Sequence, residues 1–172
     1  MLRFYEPLGL EYERAAKGKN PILGFSKEHR FLSNFYVRDV EMHDLIFPSS
    51  EHAFMWHKSE NEDYRRQILE AYSPAKAKAL GKNQRLEALG LLRDDWRDPQ
   101  VRIRVMYDVL KAKFSDITLW VMLQATQNRY LEETNYWNDV FWGRCRSEGE
   151  NHLGRLLMCI RYETRRTDKS RK

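Results

Sequence analysis

Asp98-Pro99 opens a run in which Val101, Val105, Met106, Val109 and Leu110 recur at helical spacing as far as Phe114, a broad apolar stripe that commits the chain to burying a helix face. The start is marked as well as the period, because Asp caps free N–H groups and Pro is tolerated at a first helical position. Ser73-Pro74 repeats that signal, and the Ala-Lys run after it stops at Gly81. Ser49 or Ser50 can cap a helix reaching about Ser59, and Tyr64 to Tyr72 continues in helical spacing around Ile68. Asp116 can cap a helix carrying Leu119, Trp120 and Leu123, while Leu153, Leu156, Leu157 and Ile160 form an amphipathic helix after Asn151. Strand signals precede these helices: Pro21 to Phe25 reads as a short strand, and Tyr36 to Phe47 as a hairpin turning near His43-Asp44. The expected fold class is mainly α, one compact helical domain with a small N-terminal β-sheet.

A chain of 172 residues is long enough for one domain with a sizeable core. It shows no internal repeat and no low-complexity linker. Residues 1–20 read as a polar lead-in, 21–163 as the domain, and 164–172 as a basic, frayed, solvated tail. Thirty basic against twenty-five acidic residues give a net charge of +5, which attracts phosphates without identifying a nucleic-acid binder. Two cysteines, Cys145 and Cys159, leave no room for a stapled secreted framework, and no stretch approaches the roughly 18 to 20 apolar residues of a membrane span. The expectation is a cytoplasmic protein with no membrane partner.

Phe47-Pro48-Ser49-Ser50-Glu51-His52 places one carboxylate in the first turn of a helix, where free N–H groups and the helix dipole favour its anion. Phe31-Leu32-Ser33-Asn34-Phe35-Tyr36 lies just upstream, with aromatics such as Phe35 as a stacking wall and the Asn34 amide as a polar hook for a planar ligand. On a helix Glu51 shares a face with Phe54, Met55 and Lys58, an apolar wall and a cation beside the acid. Farther along, Asp139 and Trp142 lie three apart among Tyr136, Trp137 and Phe141; a carboxylate for ribose hydroxyls beside a stacking indole suits a nucleoside-like ligand. The competing reading is an Asp that caps a turn while the tryptophans fill the core. Trp96 has the same two readings. Lys113 ends a helix, either as a dipole partner or as a phosphate contact, and the Gly149-Glu150-Asn151 turn either presents N–H groups to a phosphate or simply caps the last helix. No metal site is expected, since His52 and His57 are five apart and face different ways. No residue pattern calls for a cofactor.

With Ala79-Leu80-Gly81-Lys82, Lys111-Ala112-Lys113-Phe114, Leu131-Glu132-Glu133-Thr134, Asp139-Val140-Phe141-Trp142-Gly143 and Gly149 to Met158, these motifs stand in one register. The set resembles the NADAR (YbiA-like) superfamily over about residues 22–162. That resemblance implies a mainly helical domain and N-glycosidase activity on ribosylated bases. The substrates it implies are phosphoribosylamino-pyrimidine intermediates of riboflavin synthesis or, alternatively, ADP-ribose on modified guanine in DNA, so that a nucleic acid enters only as a modified substrate. Carried over by position, Glu51 matches the catalytic glutamate. Asp139, Trp96 and Trp142 match residues at or near the pocket, and Asn34 matches the upstream amide. Phe35, Lys82, Lys113, Gly143 and Asn151 complete the expected substrate-binding set, with Asp139 assisting Glu51. Three departures bear on the substrate: Lys82 stands where arginine is usual, Trp142-Gly143-Arg144-Cys145 replaces a Trp-Gly-x-Gly pattern, and Phe54-Met55-Trp56 replaces a stretch usually richer in Tyr and Gln.

Overall fold

The computed structural model describes residues 20–169. In chain order its elements are β1 (Ile22–Leu23), a 3-10 turn (Lys27–Leu32), β2 (Val37–Met42), β3 (Leu45–Ser49), α1 (Ser50–Trp56), α2 (Glu62–Leu69), α3 (Pro74–Leu80) and α4 (Asn83–Ala88). A second 3-10 turn (Asp94–Arg97), α5 (Pro99–Lys113), α6 (Ile117–Ala125), β4 (Leu131–Glu132), β5 (Thr134–Asn135), β6 (Arg144–Cys145) and α7 (His152–Lys169) follow. The mainly helical class with minor β elements is the one expected. Two compact units divide the chain, one of residues Asn34–Lys113 and the other of the segments on either side.

In the unit Asn34–Lys113, His43 and Asp44 adopt left-handed backbone at φ 55° and 58°, which matches the twist of the flanking strands and closes the expected hairpin. β2 and β3 pair antiparallel, with an irregularity between Val37 and Val40. Val40 pairs with Phe47, and both point inward to a core with Ala53 of α1 and Val109 of α5. Ile46, which alternates with Phe47, is exposed. Strand β3 ends at Ser49, which is also the N-cap of α1, so the chain passes from strand to helix without a loop. That helix stops at Trp56 rather than at Ser59, because His57 turns its ring back onto the Ala53 carbonyl at 2.7 Å and Tyr64 of α2 donates its hydroxyl to the Met55 carbonyl at 2.7 Å. The helix expected at Tyr64 to Tyr72 runs from Glu62 to Leu69 behind the Asn61 cap. Ser73 caps α3 and Gly81 ends it as expected; a Cβ at Gly81 would strike the Met55 sulfur, so this glycine lets α3 approach α1 closely. Helix α5 buries Ile103, Met106, Val109 and Leu110. Sequence reading missed α4, in which Leu86 is the only buried residue.

In the other unit β1 pairs parallel with β4, Ile22 opposite Leu131 and Leu23 opposite Glu132, and β5 pairs parallel with β6. The strand expected over Pro21 to Phe25 is therefore two residues long, and its partner lies more than a hundred residues away. Asp116 caps α6 by accepting from Thr118 and Leu119 N–H at 2.8 and 3.0 Å. Helix α7 buries Leu153, Leu156, Leu157 and Ile160. Its Gly154 passes directly over the Leu131 carbonyl, where a Cβ would collide. The backbone of α7 is helical to Lys169. The expected lead-in, apart from residue 20, and the last three residues lie outside the described residues.

Candidate active site

Glu51 sits in the first turn of α1 and is buried, at 5% exposure. What fixes this turn is a small network around His52. The Ala71 carbonyl lies 3.0 Å from His52 Nε2, and a carbonyl only accepts, so Nε2 carries the proton. His52 Nδ1 is then an acceptor for the Ser49 hydroxyl at 2.7 Å, while Ser49 Oγ accepts from His52 N–H. Burial lowers the His52 pKa, consistent with this neutral tautomer. His52 is thereby committed to the fold.

The Glu51 amide donates to the Asn34 carbonyl at 3.1 Å, which ties the upstream motif to the acid. Asn34 itself is 8% exposed; its Nδ2 lies 3.3 Å from Met106 Sδ, and its Oδ1 has no hydrogen-bond partner among the described residues. The same holds for the Ser50 hydroxyl, which sequence reading passed over because a serine at a helix start reads as a cap. Buried polar atoms left in this state are uncommon and cost free energy.

Lys58 lies beyond the end of α1, buried, with its ammonium donating to the Gly81 carbonyl at 2.8 Å and to Asn83 Oδ1 at 2.9 Å. It stands 5.8 Å from the ring centroids of both Phe54 and Trp96. Burial brings its pKa from 10.5 down to about 8, the Glu51 carboxylate acting upward and the charges of Lys78 and Arg102 downward. Trp96 is 1% exposed and packs on Phe54 at 5.2 Å, so its indole supports this group from within the core. Phe35 is half-buried under the Lys78 ammonium at 5.4 Å. Lys82 is exposed at the N-cap of α4. Lys113 is fully buried, 6.0 Å from the Tyr36 ring, and burial lowers its pKa to about 7. Lys113 is the last residue of α5, with 1% exposure.

In the other unit Asp139 Oδ1 accepts from the N–H groups of Phe141 and Trp142 at 3.2 and 2.9 Å. Asn135, fully buried, accepts from Asp139 N–H at 3.0 Å and donates to the carbonyls of Asp139 and Arg144 at 2.8 and 3.2 Å. Sequence reading missed Asn135, because a polar residue two places before Trp137 reads as surface. Asp139 thus makes the turn that the competing reading described, while Trp142 is half-buried and packs edge-on to Phe141 at 4.8 Å, with Phe141 against His152 at 4.6 Å. Gly143 lies against the Glu133 carbonyl, too close for any Cβ.

The carbonyls of Val140, Phe141, Trp142 and Gly143 accept from the N–H groups of Glu150, His152, Leu153 and Asn151 at 2.8 to 3.2 Å. These bonds occupy the Glu150 and Asn151 N–H groups, two of those that the Gly149-Glu150-Asn151 turn offered to a phosphate. Asn151, at φ 52° and fully buried, donates from Nδ2 to the Leu131 carbonyl and the Tyr130 hydroxyl and accepts at Oδ1 from Glu133 N–H. Its side chain therefore positions β4 against α7. Among the described residues no three His, Cys, Asp or Glu side chains converge as metal ligands.

The NADAR domain model matches residues 19–165, which include both of these groups of residues. The chain is a member of the NADAR family. This NADAR chain is 36% identical over 140 residues to N-glycosidase YbiA of Shigella flexneri serotype 5b, an alignment covering 80% of the chain and 83% of the relative. It is 34% identical over 139 residues to riboflavin biosynthesis protein VVA0006 of Vibrio vulnificus, covering 80% of the chain but 36% of that longer protein. The NMR structure of Escherichia coli YbiA superposes with a TM-score of 0.75 at 30% identity, covering 91% of the chain and 94% of that structure. The family expected from the motifs is the one found.

Proposed function

We propose that this NADAR chain is an N-glycosidase that hydrolyses the bond between ribose C1′ and a base or amino-pyrimidine nitrogen, with phosphoribosylamino-pyrimidine intermediates of riboflavin biosynthesis as the leading substrate. The observation that carries the reading is the buried Glu51 carboxylate, held in a helix first turn and joined through its own amide to the Asn34 segment. Breaking an N-ribosyl bond builds positive charge on C1′ and the ring oxygen, and a carboxylate in a dry, preorganised site stabilises it far more than water does. Glu51 takes that role and orients or deprotonates the attacking water. The open Asn34 Oδ1 accepts a donor from the base or sugar and so satisfies a buried atom that the fold leaves unsatisfied. By their match to the family motif, Asp139 and Trp142 are assigned to ribose and base. The names of relatives, N-glycosidase YbiA among them, support the reaction class.

The test is incubation of the purified protein with a phosphoribosylamino-pyrimidine and, separately, with DNA bearing ADP-ribosyl-guanine, reading freed base and ribose phosphate or ADP-ribose by mass spectrometry. Release from the pyrimidine is expected. Release from the DNA alone would transfer the assignment to a nucleic-acid ADP-ribosyl glycohydrolase, and ligand binding without release from either would make the chain a binding module.

A further inference from the structure

We propose that His43 and His57 form a binding site for a divalent transition-metal ion of the kind that imidazole nitrogen suits, and that the ion clamps the β2–β3 turn to the end of α1. The Nε2 atoms of the two rings stand 3.1 Å apart. Two nitrogens each about 2.0 to 2.1 Å from one ion are about 2.9 Å apart at a right angle and about 3.3 Å apart at the tetrahedral angle. The observed spacing lies between these limits, so the rings can share an ion, water completing its coordination. The site lies at the other end of α1 from Glu51 and does not depend on the glycosidase reading.

The spacing also fits a hydrogen bond between the rings, and the tautomers show how one arrangement becomes the other. The Ala53 carbonyl lies 2.7 Å from His57 Nδ1 and only accepts, so Nδ1 carries the proton and Nε2 turns a lone pair toward His43. Histidines that ligate metals hold their other ring nitrogen in this way, with its N–H donated to a carbonyl or carboxylate. In the metal-free pair His43 Nε2 donates to that lone pair. When an ion binds, the His43 proton moves to Nδ1, both Nε2 lone pairs face the metal, and the two rings stay neutral.

Both rings are held in place before any ion arrives. His43 has left-handed backbone at φ 55° and stacks on Trp56 at 6.2 Å with the planes 23° apart, while His57, the C-cap of α1, meets the same indole edge-on at 5.1 Å. The exposed His43 leaves the other coordination positions open to water. Comparing His57 with His52 along one helix could not reveal this pair, because its second member comes from the hairpin. Two cations oppose the ion: Arg65 lies over the Trp56 ring at 3.9 Å, and Arg93 donates to the His57 carbonyl while pairing with Asp95. Their charge sets the expected affinity below that of a site with a carboxylate ligand, and favours the metal that imidazole binds most strongly, copper(II).

The experiment is titration calorimetry of the full chain with copper(II), nickel(II) and zinc(II) near neutral pH, beside electron paramagnetic resonance of the copper form. His43→Asn removes one ligand; asparagine tolerates left-handed backbone and the ring it replaces is exposed, so the fold should persist, as circular dichroism checks. His29→Ala, outside the pair, is the control. Copper(II) is expected to bind the native protein more tightly than nickel(II) or zinc(II), with two nitrogen donors in its spectrum. Binding should weaken in His43→Asn by at least the roughly 10- to 100-fold that losing an outer-shell partner costs a metal site, and should be unchanged in His29→Ala. The metal should also raise the melting temperature of the native protein but not that of His43→Asn. Equal affinity in the native protein and His43→Asn, a spectrum with a single nitrogen donor, or loss of binding in His29→Ala overturns the site and leaves the two rings a hydrogen-bonded pair.

Discussion

A carboxylate buried to 5% exposure in the opening turn of a helix is held there by two side chains and two backbone carbonyls. Ser49, His52 and the Ala71 carbonyl fix the turn, and Asn34 supplies a carbonyl to the Glu51 amide. Glutamine keeps the shape of glutamate but not its charge. Glu51→Gln should therefore fold as the native protein does and lose about a thousand-fold or more in kcat with little change in KM, because the charge acts on the transition state. Single-turnover kinetics with far-ultraviolet circular dichroism checks both parts. Turnover within a few fold of native would remove Glu51 from the chemistry.

Among the elements, the loop from Asn135 to Gly143 holds a residue with a structural task and a second, proposed one. Asp139 caps the turn with one oxygen, so a loss of activity on mutation has two explanations. Asparagine retains an oxygen that can accept the same two N–H bonds but carries no charge. If Asp139 acts on ribose or water, Asp139→Asn should retain its melting temperature within a few degrees and lose about tenfold or more in kcat, whereas Asp139→Ala should lose both activity and about 1 to 3 kcal/mol of stability. Thermal unfolding beside steady-state kinetics tells these apart, and an active, stable Asp139→Asn would reduce the residue to its cap. This loop also marks where the sequence ceased to be legible. Ser73-Pro74, Asp116 and His43-Asp44 announce their structures because capping and turn chemistry are local. The pairing of β1 with β4, the buried amide of Asn135 and the capping of α7 by carbonyls 140–143 depend on partners that only the folded chain brings together. The site divided the same way. Glu51 and Asn34 were readable from their motifs, while the buried Ser50 hydroxyl and the Asn135 amide gained meaning only in the fold.

For the molecule as a whole, buried bases set the dependence of stability on pH. In the fold the pKa of Lys113 falls from 10.5 to about 7 and that of Lys58 to about 8, so above these values the unfolded chain binds more protons than the native one. Stability then rises with pH between about 7 and 10. His52 and His57, both lowered by burial, act the same way at more acid pH. Tyr64 acts oppositely above about 10, where its hydroxyl ionises in the unfolded chain but is kept protonated by burial in the native one. Urea unfolding across this range should show the rise, and Lys113→Met should flatten it by removing the most deeply buried of these groups. A profile of unchanged slope in the variant would mean that Lys113 stays charged in the fold.

The ladder between carbonyls 140–143 and the start of α7 gives the candidate loop a reporter of its own. Four amide protons, those of Glu150, Asn151, His152 and Leu153, are shielded from solvent by one stretch of backbone that includes Trp142. They should exchange with deuterium together, at a rate set by how often that stretch lifts away. A ligand that orders the loop should slow the four in concert and leave the rest of α7 unaffected. Occupancy would then be measurable by exchange alone, with any compound, whether or not it is ever cleaved.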